Sequence, residues 1–236
     1  MYEDLISEIR AELARNANEK TKETSARFFK EYINCYGVKA ATVLKIADKY
    51  FKLIKNEQKQ TIFSLSEELL ESDMLEESAI AFECVYRMRE YYEPEDFEIF
   101  EGWIGKYVNN WAKCDTLCNH SVAFFIESYP QYLPRVKEWT WSENRWFRRA
   151  AAVTLVLPAR NGKFLDDVLE IADSLLMDED DLVRKGYGWM LKEAGKAHQQ
   201  EIFEYIMKNK KVMPRTSLRY AIEKFPQDMR KKAMEK

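Results

Sequence analysis

Glycine and proline are scarce in this chain, seven and six among 236 residues. That scarcity excludes collagen-like, linker-rich and low-complexity architectures. Four cysteines (Cys35, Cys84, Cys114, Cys118) form no regular framework and are too few for a disulfide scaffold of this length, so they read as reduced thiols. No apolar run approaches the ~20 residues that span a bilayer. The opening Met1-Tyr2-Glu3-Asp4 is acidic, unlike a secretory leader. A soluble, cytoplasmic protein is expected. There is no Walker loop, dinucleotide fingerprint, HExxH or nucleophile elbow. Cys114, Cys118 and His120 lie close in sequence, but His120 points away from the cysteine turn and no fourth ligand appears. Buried thiols fit that pattern better than a metal site, and neither a metal nor an organic cofactor is expected.

What is present is a large apolar and aromatic fraction, 46% and 14%, enough to bury a real core. The net charge of −3 argues against a protein that is basic all over, but the charge is unevenly spread. Residues 51–100 hold five basic against thirteen acidic side chains, whereas 201–236 hold ten against five. A basic stripe on an acidic protein is one reading, and an ordinary solvated helix surface is the blander one.

Apolar residues recur at helical spacing almost throughout, and period-2 alternation is nearly absent. Leu5, Ile9 and Leu13 form a first stripe. A second helix is expected from Ser25 to Ile33, with Phe28, Phe29 and Tyr32 on it and Gly37 as its terminator. Further helices are expected near 39–53, 57–71, 75–91, 96–108, 110–128, 131–140, 143–157, 163–176, 181–195, 198–208 and 214–224. Pro94, Pro130, Pro158, Pro214 and Pro226 fall at the seams, where a missing N–H costs little, and Pro134 fits a first turn.

Phe147–Leu155 and Val183–Leu191 look alike: an apolar residue, two cations, small residues, then leucine, 36 residues apart. Each follows a polar helix-start signal, Ser142-Glu143-Asn144 or Asp178–Asp181. Such a period suits stacked helix pairs, so the expected fold is all-α: a curved α-solenoid of antiparallel helix pairs (HEAT-like repeats) forming one domain over residues 1–236. Extending the register to Asn109–Leu117 places Trp111 and Asp115, Arg149 and Val153, and Lys185 and Trp189 at equivalent i and i+4 positions. Two tryptophans, one carboxylate and two cations are an unusual core face, because unpaired charge is costly to bury. They suit a surface that meets a ligand.

The segments Trp111-Ala112-Lys113-Cys114-Asp115, Ser142 to Ala151 and Lys185 to Leu191, together with Tyr32 to Val38 and Arg215 to Lys224, resemble the DNA alkylation repair (AlkD-like) glycosylase family over nearly the whole chain. The resemblance rests on Trp-x-x-x-Asp, then Trp-x-x-Arg, then a tryptophan after glycine. It implies a HEAT-like helical protein that excises cationic N-alkylated purines, such as 3-methyladenine and 7-methylguanine, from duplex DNA without a cofactor. The family's roles would fall on Trp111, Asp115, Arg149 and Trp189. Phosphate contacts would come from Arg148, Arg149, Lys185, Arg184, Lys192, Arg215, Arg219 and Lys224. The expected partner is duplex DNA carrying alkylated bases, with no membrane and no obligate protein partner. The chain is expected to act as a monomer in the cytoplasm, nucleoid-associated when bound.

Each residue also has a plainer reading. The tryptophans suit a core, Asp115 suits a pair with Lys113 or Lys185, and Arg148 and Arg149 suit interhelical ion pairs. Gly186 and Gly188 suit close helix packing better than a passing DNA backbone. The alternative to an enzyme is a non-catalytic HEAT-like module that binds DNA of unusual structure or a protein.

Overall fold

The structure, a computed structural model, describes residues 2–235. It is helical from end to end, and its β pairing among the described residues is a single isolated bridge between Asn34 and Met74. The elements are α1 (Tyr2–Arg15), α2 (Glu19–Ala26), α3 (Ala40–Ile54), α4 (Lys59–Glu71), α5 (Leu75–Arg87), α6 (Asp96–Tyr107), α7 (Trp111–Thr116), a π-helical turn (Leu117–Val122) and α8 (Ala123–Ser128). They continue with α9 (Leu133–Glu138), α10 (Arg145–Thr154), α11 (Val156–Arg160), α12 (Leu165–Ser174), α13 (Asp181–Ala194), α14 (Gln199–Asn209), α15 (Arg215–Ala221) and α16 (Gln227–Met234). No described helix is long and apolar enough to cross a membrane.

The chain divides into two compact units, Met1–Asp96 with Tyr107–Thr116, and Phe97–Lys106 with Leu117–Lys236. In the first, Ile6, Ile9 and Leu13 of α1 are buried, as are Val43, Ile46, Ala47 and Tyr50 of α3. Their spacing of three and four puts each set on one face. Ile62, Leu69 and Leu70 of α4 and Ile80, Ala81 and Val85 of α5 complete the core.

The segment 25–39 departs from expectation. The helix ends at Ala26, and 29–39 run without helix into α3. Gly37 terminates nothing there; it adopts φ +83° in the extended stretch, where a Cβ would sit 2.5 Å from the Asn18 carbonyl. The cause is tertiary. Glu76 of α5, itself buried, accepts hydrogen bonds from the backbone N–H groups of Tyr36, Gly37 and Val38 at 2.8–3.0 Å. A carboxylate holding three successive amides outweighs the local helical periodicity.

The second unit is organised on α13, whose Val183, Tyr187, Met190, Leu191 and Ala194 are buried and which packs against α10, α11, α12 and α15. The expected starts of its repeat-like helices are capped by side chains. Asn144 accepts from the Trp146 amide, and Asp180 accepts from the Leu182 and Val183 amides. The expected 143–157 helix breaks at Leu155, because Pro158 has no N–H to continue the ladder and sits instead within α11. An aromatic cluster fills the space around α6, with Phe97 stacked on Trp139 at 5.7 Å and set against Phe125 and Tyr132. α16 lies beyond the last helix expected from periodicity.

Candidate functional site

In the first unit, α7 starts at Asn110, whose buried side chain accepts from the Lys113 amide at 3.0 Å. This start fixes the phase of the helix. Lys113 and Cys114 turn inward and are buried, while Trp111 and Asp115, four residues apart, share a half-buried face. Lys113 Nζ meets Asp73 Oδ1 at 2.5 Å, and Asp73 adopts φ 58°. Burial alone would raise the Asp73 carboxyl, but hydrogen bonds from Lys113, Asn109 and Asn34 and the lysine charge hold it below the ordinary range. In the second unit Lys185 pairs with Asp181 at 2.8 Å. Both lysines suggested as partners for Asp115 therefore engage other carboxylates.

Trp111 carries a contact that its own sequence neighbourhood does not announce. Phe29 stacks on its ring at 5.1 Å with an interplanar angle of 17°, and its indole N–H donates to the Phe28 carbonyl at 3.3 Å. The aromatics expected on a second helix lie instead on the turn after α2. Phe28 and Tyr32 face solvent, 72% and 89% exposed, and Phe29 covers one face of Trp111.

In the second unit, Arg149 of α10 is buried, and its Nη1 donates to the Leu182 carbonyl at the start of α13. Gly186 faces it, and a Cβ there would make ordinary contact with Arg149 Cγ at 3.4 Å. Gly188 serves the other side of α13, where a Cβ would lie 2.8 Å from Tyr220 Cβ and 2.9 Å from the Ser217 carbonyl of α15. Gly188 thus permits close helix approach, whereas Gly186 would accommodate a methyl group. Arg148 donates to Asp178 at 2.6 Å and to the Ser142 and Glu143 carbonyls. Arg184 donates to the Asp178 carbonyl at 2.5 Å. Lys192 and Lys224 both meet Glu223, at 3.2 and 3.3 Å. Trp189 is half-buried one turn after Lys185, and Arg215 and Arg219 are exposed.

Sequence reasoning read the acidic run Asp178–Asp181 only as a helix start. It is also a cation cradle, with Arg148 on Asp178 and Arg145 on Asp180 at 3.1 Å. Burial would raise Asp180, but Arg145 and the two capping amides hold it below the usual carboxylate range. The near-equal spacing of Arg145–Asp180, 35 residues, and Phe147–Val183, 36 residues, was the available signal. The π-helical turn directly after α7 had none, since 110–128 reads as one uninterrupted helix. Among the described residues no three His, Cys, Asp or Glu side chains are grouped to hold a metal ion, and all four cysteines are free and buried.

Comparison with known proteins now bears on these residues. The family model described as DNA alkylation repair enzyme matches residues 9–225, nearly the whole chain and every residue named above as a candidate. The chain belongs to that family. Its fold is similar to a solved structure described as a predicted DNA alkylation repair enzyme from Enterococcus faecalis, with a TM-score of 0.80 over 90% of this chain and 98% of that one. Identity across that alignment is 15%, so the two share an all-α helical-repeat architecture rather than a close sequence. No curated protein matches this chain.

Proposed function

We propose that this family member is a DNA glycosylase that hydrolyses the N-glycosidic bond of cationic N-alkylated purines, 3-methyladenine and 7-methylguanine, in duplex DNA. The observation that carries the reading is the pairing of Trp111 and Asp115, one turn apart on α7 and both partly accessible, in a chain of this family.

An alkylated purine already bears positive charge, so the bond to the sugar breaks with the electron pair leaving on the base. Charge then develops on the deoxyribose. A fixed carboxylate beside that sugar stabilises the oxocarbenium character and orients the attacking water. Asp115 is assigned that role. Trp111 and Trp189 offer aromatic faces to the sugar and the cationic lesion. Arg149, buried with its Nη1 on the Leu182 carbonyl, is assigned to a phosphate as a permanently charged donor. Arg148, Arg184, Lys185, Lys192, Arg215, Arg219 and Lys224 are assigned to the DNA backbone, and the enzyme acts as a monomer.

Asp115→Asn keeps the side-chain shape and removes the charge. Single-turnover release of 7-methylguanine should then fall by about a hundredfold or more. Affinity for DNA should hold or improve, since a carboxylate repels phosphate. Near wild-type release would overturn the assignment. The internal engagement of Arg149, one of the four residues assigned to the chemistry, favours a second reading, a non-catalytic module whose DNA contacts come from other cations. Binding of alkylated duplex with no base release by the unmodified protein would establish it.

A further inference from the structure

The cations assigned to DNA from the sequence are mostly held by internal partners, but those of the last three helices are not. Arg219, Arg230 and Lys231 line a surface recess of 530 Å³ between α15 and α16. Lys210, Lys211 and Arg215 line a second recess of 670 Å³ between the end of α14 and the end of α16. Met234 lines both, so the two recesses adjoin. None of these six side chains has an acidic partner among the described residues. The Lys210 ammonium donates instead to the Lys232 carbonyl at 2.7 Å, which ties α14 to α16. The carboxylates nearby are Glu223, already shared by Lys192 and Lys224, and Glu235.

Six like charges around two shallow recesses repel one another, and apart from the Lys210 tie to Lys232 none of these side chains has a polar partner among the described residues. Such a patch suits an extended polyanion with regularly spaced charges. A membrane is a poorer fit, because α16 (QDMRKKAM) lacks the large apolar face that an interfacial helix inserts. The family match stops at residue 225, before α16, so two of the six cations, Arg230 and Lys231, lie beyond the matched region.

We infer that α14–α16 form a backbone-binding surface for duplex DNA, engaging phosphates through Lys210, Lys211, Arg215, Arg219, Arg230 and Lys231. The inference rests on the DNA-repair reading but not on Asp115. It places sequence-independent affinity on α14–α16.

The test is a fourfold variant, Lys210→Ser, Lys211→Ser, Arg230→Ser and Lys231→Ser, in the full chain. Affinity for an undamaged duplex is measured from about 50 to 200 mM salt, with circular dichroism as a control for folding. Each phosphate contact contributes roughly 0.9 to the slope of log affinity against log salt. The variant should therefore lose about two to four units of slope and bind at least about tenfold more weakly at the upper salt. An unchanged slope overturns the inference while leaving the glycosylase reading intact. Loss of slope supports it even if Asp115→Asn retains full activity, which would sink only the catalytic reading. Preferential binding of the parent protein to single-stranded RNA, or to vesicles containing phosphatidylserine, through these same cations also overturns it. If the fourfold variant fails to fold, the pair Arg230→Ser and Lys231→Ser should lose about half as much slope, and no loss overturns the proposal.

Discussion

In the first unit, buried charge meets a partner from a distant part of the chain, whereas α14–α16 leave their cations facing water. Glu76 holds three backbone amides, Glu77 accepts from Arg10 and from the Tyr36 hydroxyl, and Asp73 meets the buried Lys113. These contacts fix segments that local propensity would place elsewhere. The helices of the second unit are ordered by distant charge pairs as well, Arg148 on Asp178, Arg145 on Asp180 and Arg160 on the buried Glu193. Close approach at Gly188 and an aromatic cluster around Phe97 act together with them. With order secured by packing and by these internal pairs, the cations of α14–α16 are available to something outside the chain. A charge that stabilises the fold and a charge that serves a ligand differ in whether the chain already supplies the counterion.

The largest effect expected on breaking this contrast is at Glu76. Glu76→Gln replaces an acceptor with an amide N–H₂ facing backbone donors, and should cost about 2–4 kcal/mol in chemical denaturation. The pair Arg230→Ser and Lys231→Ser should stay within about 0.5 kcal/mol of the parent. Comparable losses in the two variants would dissolve the distinction.

The glycines sharpen it. Gly188→Ala forces a methyl against the backbone and side chain of α15 and should destabilise by about 1–3 kcal/mol. Gly102→Ala, in α6 with nothing within 4 Å of the added carbon, should instead stabilise by up to about 1 kcal/mol. Thermal melting of both variants distinguishes packing glycines from incidental ones.

Acid should act through the paired carboxylates of both units. Asp73 and Asp180 are held below their ordinary value of 3.8, and Glu193 below 4.5. For Glu193, burial opposes the shift, and Lys196 and Arg160 outweigh it. A carboxyl depressed in the folded state binds its proton more readily when unfolded. Its contribution is therefore complete above the ordinary carboxylate range and is lost as pH falls through the folded value. The unfolding midpoint should be level from about pH 7 to 5 and decline below about pH 4. Asp73→Asn should reduce that decline, and an unaltered acid profile would remove the Lys113 pair from the account.

The smallest effect is expected at Phe29. Phe29→Ala removes the ring stacked on Trp111 and should cost about 0.5–1.5 kcal/mol beyond its buried area. Tryptophan emission should shift to the red as Trp111 gains water. No spectral change would show that the stack is not occupied in solution.

Most of the helices were legible because helical periodicity and proline position are local quantities. Asn144 and Asp180 also fell where the sequence placed helix starts, since capping is a local matter too. The segment 25–39 was not legible, because its conformation is set by Glu76, about forty residues away, and by Trp111. α16 was missed because Gln227–Met234 buries one residue, Ala233, and so has no apolar stripe to read. For the candidate site, the sequence register brought Trp111, Asp115, Arg149, Lys185 and Trp189 to notice. Repetition in sequence marks equivalent positions, however, not their partners. It did not disclose the Leu182 carbonyl on Arg149, the Asp178 carboxylate on Arg148 or the phenyl ring on Trp111.

α2 buries none of its residues, yet the chain on either side of it is firmly held. Before it, α1 contributes Ile6, Ile9 and Leu13 to the core and ties Arg10 to Glu77 and Glu12 to Tyr50 and Lys49. After it, residues 36–38 are clasped by Glu76. The peptide links across this stretch therefore act as a tether rather than as part of the scaffold. A single trypsin cut after the exposed Arg27 should yield two fragments that separate on a denaturing gel yet elute together from a native sizing column. Across Glu19–Arg27, covalent continuity is then a convenience of synthesis, and a two-chain version of this protein cut there should keep the same fold.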